Sequence, residues 1–141
     1  MTSQTLSILE KIEKKDKYNI LTFDTHERYQ TQLCKTGHNF FSFRYNNCKT
    51  WDEIYAPQPS NYYTLPENSL VGGLNFDFIL SQSKFGQFQM AHQINSVLQV
   101  PLVSLEHTLP IPTWPNEQLE SFKMMVGNIN VFISEYSTKE W

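Results

Sequence analysis

The sequence predicts an α/β domain built on a parallel sheet. Apolar, strand-like segments alternate with segments of roughly a dozen residues in which apolar positions recur at helical spacing. Residues 77–136 show this alternation most clearly, with predicted strands at 77–82, 100–105 and 129–134 and predicted helices near 86–99 and 116–126. Strands joined through helices form right-handed crossovers, which make the strands parallel. Such sheets bind ligands at the carboxyl ends of their strands, so we expect a functional site there.

The composition predicts one domain and argues against several functional classes. The chain has 141 residues and a net charge of −3, whereas a nucleic-acid-binding protein needs a concentrated face of Lys and Arg. No segment approaches the roughly 18 apolar residues of a membrane span, and the first residues do not form a signal peptide. Cys34 and Cys48 lack CxxC spacing and are predicted to be reduced thiols. These features predict a cytoplasmic protein.

The amino-terminal residues 1–17 are predicted to form an amphipathic helix in front of the domain, which spans residues 18–141. Leu9 and Ile12, or Ile8 and Ile12, fall on one side of this helix. We expect the helix to pack on the domain or on a partner. Binding to a membrane surface is possible but not indicated, because the apolar face is too small for firm interfacial binding.

A first strand is predicted at residues 18–23 and a second at 38–44, with a helix between them. Asp24 and Glu27 fit a capping box, in which Asp24 accepts hydrogen bonds from first-turn amides and Glu27 reaches back to the Asp24 amide. Gly37 is suited to end the helix in a left-handed conformation.

Residues 45–75 show no regular periodicity, and no strand is predicted there. Three prolines and the pairs Asn46-Asn47 and Gly72-Gly73 interrupt any long element. A stretch of this length is often functional or a covering loop. Its aromatic residues are candidates to anchor it: Trp51, Tyr55, Tyr62 and Tyr63.

The two carboxyl-terminal helices have predicted buried faces. In the first helix these are Met90 or Ala91, Ile94, and Val97 or Leu98, with His92 on the exposed side. In the second they are Leu119, Phe122 and Val126, with Met124 and Met125 filling the core. Ser137 is predicted to cap a final helix, and because the sequence stops within one turn of it, we expect a longer protein.

Common enzyme motifs are missing from the expected places. Residues 24–29 replace a GxGxxG turn after the first strand, and the sequence has no P-loop, GxSxG elbow or HExxH motif. Scattered histidines without paired cysteines predict no metal site. The remaining candidate is Glu106-His107-Thr108, which directly follows a predicted strand and precedes a proline-rich loop. His107 either contacts a ligand hydroxyl or only bonds a carbonyl of its own loop.

Several segments resemble the amino-terminal half of a glycosyltransferase of the family-4-like group, which has the two-domain GT-B fold. They are Phe85-Gly86-Gln87-Phe88-Gln89, the run from Val100-Pro101-Leu102 to Glu106-His107-Thr108, and the run from Asn130-Val131-Phe132 to Ser137. Residues 19–27 and 35–38 also resemble the first βαβ unit of that group. The likeness covers roughly residues 18–141. One departure is that Asp24-Thr25-His26-Glu27 replaces the glycine-rich loop of the group.

The resemblance implies one half of a GT-B enzyme: a Rossmann-like doubly wound domain that receives the acceptor and faces a carboxyl-terminal domain that binds the nucleotide-sugar donor. That donor-binding domain is missing from this sequence. The resemblance also implies a retaining, metal-independent transfer to a glycan, lipid or other hydroxyl acceptor, without a cofactor. His107 would be the catalytic residue that approaches the transferring sugar. The predicted substrate-binding residues are Gln82, Ser83, Phe85, Gly86, Gln87, His26, Glu106, Thr108 and Ser134.

Two other functions remain open at this point. The chain could be a stand-alone, non-catalytic binding or interaction module that keeps half of such a fold. It could also be a small flavodoxin-like nucleotide binder, which would bind a nucleotide saturably by itself.

Overall fold

A computed structural model describes residues 16–46 and 49–141. Cys48 and the helix predicted near the amino terminus lie outside these residues. Six strands form one all-parallel sheet in the order β3-β2-β1-β4-β5-β6. The strands are β1 (Asn19–Thr22), β2 (Asn39–Arg44), β3 (Tyr62–Glu67), β4 (Phe78–Ser81), β5 (Leu102–Glu106) and β6 (Ile129–Phe132). This strand order is that of a Rossmann-like doubly wound fold, so the predicted fold class is confirmed.

Helices flank the sheet. They are α1 (Glu27–Cys34), α2 (Phe88–Leu98), α3 (Asn116–Lys123) and α4 (Glu135–Glu140). None of the helices in the described residues is long and apolar enough to span a membrane. The described residues divide into two compact units, 16–79 and 80–141.

In the unit of residues 16–79, β1 pairs with β2 in the register Ile20 to Phe40, and β2 pairs with β3 in the register Phe40 to Tyr62. The strand at Tyr62–Glu67 lies in the stretch for which the sequence predicted none, so that prediction was wrong. The core of this unit is formed by Ile20, Leu21, Phe23, Phe40, Phe43, Tyr62 and Leu65.

The start of α1 differs from the predicted capping box. His26 is the residue that caps the helix, because its Nδ1 atom accepts a hydrogen bond from the Arg28 amide at 3.3 Å. Asp24 does not cap, since Ser42 donates to its carboxylate at 2.8 Å. The end of the helix is as predicted: Gly37 has a φ of 83°, in the left-handed region that glycine adopts without strain.

In the unit of residues 80–141, β5 pairs with β6 in the register Val103 to Ile129. Its core contains Leu80, Phe88, Ala91, Ile94, Leu102 and Phe122. Two predictions about α3 were wrong: Val126 is 61% exposed and Met124 is 81% exposed. The helix ends at Lys123, so the residues after it leave the stripe that would have buried them. Val97, the alternative to Leu98 in the predicted face of α2, is 78% exposed.

The cap of the last helix is also one turn earlier than predicted. Ser134 caps α4, because its Oγ accepts a hydrogen bond from the Ser137 amide at 3.0 Å. Ser137 instead is buried inside the helix.

Candidate functional site

The carboxyl end of β5 carries a buried glutamate that organises the loop after it. Buried and partly buried residues alternate along this strand, and Glu106 falls on the buried side with 1% exposure. Its Oε2 accepts a hydrogen bond from the Lys84 amide at 2.7 Å. Its Oε1 accepts from the Thr108 amide at 3.0 Å and from the Thr108 hydroxyl at 2.8 Å. We call this set of three hydrogen bonds the Glu106 clamp.

His107 lies in the sequence between Glu106 and Thr108, which the clamp bonds to each other. The clamp therefore restrains the backbone on both sides of His107. The imidazole is partly buried, and its Nε2 atom is inaccessible to solvent. Burial lowers the pKa of His107, while the negative charge of Glu106 opposes that effect. The net lowering keeps the imidazole neutral near pH 7, a form in which one ring nitrogen donates a hydrogen bond and the other accepts one.

Lys84 is a buried residue of the site that the sequence did not reveal. The side chain is 3% exposed, and its ammonium group donates a hydrogen bond to the Met125 carbonyl after α3. The Nζ atom also lies 5.8 Å from the ring centroids of both Phe88 and Trp141. Burial lowers the pKa of Lys84, and Glu106 opposes that effect. A lysine in a polar loop carries no local pattern that would predict burial.

The turn between β4 and α2 contains five of the predicted substrate-binding residues. Gln82 and Gln87 are buried and hold the turn, because the Gln82 amide donates to the Gln87 Oε1 at 2.9 Å. The Ser83 hydroxyl donates to the Phe85 carbonyl at 2.9 Å. Gly86 has a φ of 87°, which lets the chain reverse before the helix. Phe85 is the exposed side chain of the turn, at 67%.

Aromatic rings connect this turn with the loop after β5 and with the last helix. Phe85 stacks on Trp114 with ring centroids 6.5 Å apart, and Phe122 lies 6.0 Å from Phe85 and 4.7 Å from Trp114. Trp141 lies 6.2 Å from Trp114 and donates its Nε1 hydrogen to the Thr108 carbonyl at 2.7 Å. These four rings therefore hold the loop that follows His107.

The predicted site residues of this unit fall into two groups. Glu106, His107 and Thr108 are brought to the turn of residues 82–87 by the Lys84–Glu106 hydrogen bond. The Ser134 hydroxyl is engaged in a different contact, because it caps α4 and lies 3.1 Å from the Ser137 hydroxyl.

In the unit of residues 16–79, residues 49–56 contact the start of α1, which follows β1. Lys49 binds the buried Glu27 carboxylate at 2.8 Å, and the Asp52 amide donates to the same carboxylate at 3.0 Å. Burial tends to raise the pKa of Glu27, but the hydrogen bonds from Lys49 and from backbone amides and the charge of Lys49 outweigh it, so the pKa is lowered. The His26 side chain is exposed, and its ring lies 5.8 Å from the Tyr55 ring.

A separate groove of about 730 Å³ lies between α2 and the residues of and after α3. Its lining includes Phe88, His92, Glu117, Glu120, Met124 and Val126. His92 is exposed on α2, as the sequence predicted. The part of the chain that the structure describes contains no group of three or more His, Cys, Asp or Glu residues that could hold a metal ion.

Comparison with known proteins adds no relative. No protein-family model matches the chain, and neither a curated protein nor a solved structure is significantly similar to it. The fold and the Glu106 clamp are therefore the observations from which a function is to be inferred.

Proposed function

We propose that this chain is the acceptor-side domain of a retaining glycosyltransferase that transfers a sugar from a nucleotide-sugar to a hydroxyl acceptor. The observation that carries the proposal is the Glu106 clamp, which holds the backbone on both sides of His107 immediately after β5. The Rossmann-like strand order agrees with the domain that the sequence resemblance implies. Carboxyl ends of strands are the places where such sheets bind their ligands.

His107 is the proposed catalytic residue. A neutral imidazole both donates and accepts hydrogen bonds, so it suits a hydroxyl of the transferring sugar better than a fixed charge does. The Glu106 clamp restrains the residues before and after His107, which limits the movement of the imidazole. A group held in place in this way stabilises a transition state without reorganising during the reaction.

The turn of residues 82–87 and Thr108 are the proposed acceptor-binding elements. Thr108 is exposed, and its hydroxyl donates to Glu106, so its oxygen still has capacity to accept a hydrogen bond from a ligand. Gln82 and Gln87 act in this proposal by shaping the turn, because they are buried and hydrogen-bonded to each other. The donor would bind to a second domain, and the transfer is proposed to need no metal or cofactor.

The test is an assay of sugar transfer by the protein expressed from its whole gene, with the donor-binding domain included. His107→Ala should lower kcat/KM by about 10²-fold or more, because a transition-state contact is lost. His92→Ala is the matched control, since His92 is an exposed histidine on α2, and it should leave the rate unchanged. Transfer that persists undiminished in His107→Ala would remove His107 from the mechanism.

A stand-alone, non-catalytic binding module is the second candidate, and the carboxyl end of β1 favours it. Two carboxylates, Asp24 and Glu27, stand where the resembling enzymes have a glycine-rich loop, and the Glu27 carboxylate is bonded to Lys49 and to the Asp52 amide. The end of β1 therefore lacks the glycines that would let the backbone approach a phosphate-bearing ligand closely. Full-length protein that binds sugars but transfers none, with every common nucleotide-sugar offered, would support this candidate over the first.

A further inference from the structure

Phe85 is an exposed aromatic ring that is nevertheless held in place. It is 67% exposed, yet it stacks on Trp114 at an interplanar angle of 25° and meets Phe122 at 69°. Trp114 and Phe122 also contact each other, so the two supporting rings restrain one another. The left-handed Gly86 that follows lets the chain turn directly after Phe85. Most of the Phe85 ring is therefore offered to solvent in a preset orientation.

Phe85 and His107 belong to two loops that a hydrogen bond joins. Each of the two residues directly follows one partner of the 2.7 Å hydrogen bond between the Lys84 amide and the Glu106 carboxylate. The loop after His107 is tied to the same rings, because Trp141 bonds the Thr108 carbonyl and lies 6.2 Å from Trp114. The exposed ring and the candidate catalytic histidine are thus carried by two loops that are bonded together.

We propose that Phe85, supported by Trp114, is a stacking platform for a neutral sugar ring. This inference rests on the proposed function: the sugar ring bound by Phe85 belongs to the acceptor, so the acceptor is a carbohydrate. The face of an aromatic ring carries negative electrostatic potential, and the C–H bonds on one face of a pyranose are polarised positively by the neighbouring oxygens. Because the Phe85 ring is already ordered by its stack, binding costs little side-chain entropy.

The charges around Phe85 favour a neutral ligand over a nucleotide. The adjacent cation, Lys84, is buried and donates to the Met125 carbonyl, so it does not present its charge to a phosphate. The other side chains of the turn are uncharged: Gln82, Ser83 and Gln87. A sugar ring and a phenyl ring have similar dimensions, so one exposed ring suffices for one sugar.

The experiment is a titration of the 141-residue chain with methyl glycosides of glucose, galactose, mannose and N-acetylglucosamine, followed by NMR. The indole N–H signal of Trp114, assigned from the Trp114→Phe variant, reports on the platform. We expect at least one glycoside to shift the amide signals of residues 84–87 and the Trp114 indole signal. Phe85→Ala should weaken this binding by about tenfold or more, whereas Phe85→Tyr should retain it, since stacking on an aromatic ring contributes about that much.

Tyr63→Ala provides a matched control. Like Phe85, Tyr63 has an exposed ring, at 44%, and this ring stacks on another aromatic residue, with the Phe41 centroid 4.9 Å away. Unlike Phe85, Tyr63 lies on β3. This variant should bind the glycoside as the unchanged chain does. If none of the four glycosides shifts these signals, or if Phe85→Ala binds equally well, the platform is refuted. Shifts caused by uridine and not by any glycoside would refute the carbohydrate assignment.

The platform and the proposed function can fail separately. Glycoside binding needs neither donor nor turnover, so binding that depends on Phe85 in a protein without transfer activity contradicts only the proposed function. Transfer that depends on His107 but shows an unchanged acceptor KM in Phe85→Ala contradicts only the platform.

Discussion

The Tyr62 hydroxyl donates a hydrogen bond to the carboxylate of Asp24, 38 positions earlier in the chain. Ser42 on β2 donates to the same carboxylate oxygen at 2.8 Å. Trp51 packs on the Tyr62 ring with centroids 4.8 Å apart, and Tyr62 is only 2% exposed. Asp24 thereby joins the end of β1 to both β2 and β3.

Replacing Tyr62 by Phe should lower the free energy of unfolding by about 2 kcal/mol, because it removes a buried hydrogen bond to a charged group. Urea denaturation followed by circular dichroism measures the change. Tyr63→Phe is the matched control on the same strand, and since Tyr63 is 44% exposed it should change stability by less than about 0.5 kcal/mol. Equal effects of the two substitutions would show that the bond to Asp24 contributes nothing to stability.

The strand that carries Tyr62 shows why one element could not be predicted from the sequence. The other five strands are visible as apolar segments between polar ones, whereas β3 contains Pro66 and only two buried residues, Tyr62 and Leu65. Proline is tolerated there because β3 lies at the edge of the sheet, where not every amide has a partner strand. Edge position is a property of the assembled sheet and leaves no local pattern.

The helix caps and the site also combine features that nearby residues determine with features that residues distant in sequence determine. Asp24 has the right spacing for a capping box, but Ser42 and Tyr62, distant in sequence, take its carboxylate instead. The sequence placed Glu106 and His107 at the end of a strand, because apolar residues stop there. It could not show that Lys84 completes the clamp, since that bond joins residues 22 positions apart.

Glu106→Gln should destabilise the fold by about 3 kcal/mol. The amide NH₂ group of glutamine cannot accept a hydrogen bond, so either the buried Lys84 amide or the amide and hydroxyl of Thr108 lose their partner. Thermal and urea unfolding measure the loss. Glu117→Gln is the control, because Glu117 is an exposed glutamate on α3 and its substitution should be nearly neutral. Glu106→Gln with unchanged stability would contradict the clamp.

The lowered pKa of His107 predicts a pH dependence of stability. The unfolded chain binds a proton to this residue near pH 6.5, more readily than the folded chain does, because burial disfavours the charged imidazole. The contribution of His107 to stability is therefore greatest above pH 6.5 and falls as the pH drops toward the folded pKa. His107→Asn should reduce this fall, as measured by urea midpoints at a series of pH values.

The charge of Glu106 raises the pKa of His107 against the effect of burial. In Glu106→Gln the pKa of His107 should consequently drop further, which NMR titration of the imidazole measures. A pKa at or above 6.5 in the unchanged chain would contradict the burial of the ring.

Cys34 should react slowly with thiol reagents in the folded protein. Burial raises its pKa to about 11 from the ordinary value of 9.0, which reduces the thiolate fraction about 100-fold near neutral pH. In a Cys48→Ser background, a colorimetric disulfide reagent should modify Cys34 at least about 100-fold more slowly in native buffer than in denaturant. Equal rates in the two conditions would show that Cys34 is accessible.

Gly127→Ala should destabilise the unit of residues 80–141, because a methyl group at this position meets backbone rather than a movable side chain. A Cβ atom on Gly127 would lie 2.5 Å from the Leu102 carbonyl oxygen and 3.3 Å from the Ile129 carbonyl oxygen. The Leu102 carbonyl cannot withdraw freely, since it accepts a hydrogen bond from the Asn128 amide at 2.8 Å. We expect a loss of about 2 kcal/mol, typical of overpacking. Gly72→Ala is the matched control, because nothing lies within 4 Å of its Cβ position, and it should be neutral or slightly stabilising. Should Gly127→Ala prove neutral as well, the approach between the end of α3 and the start of β5 is looser than these distances imply.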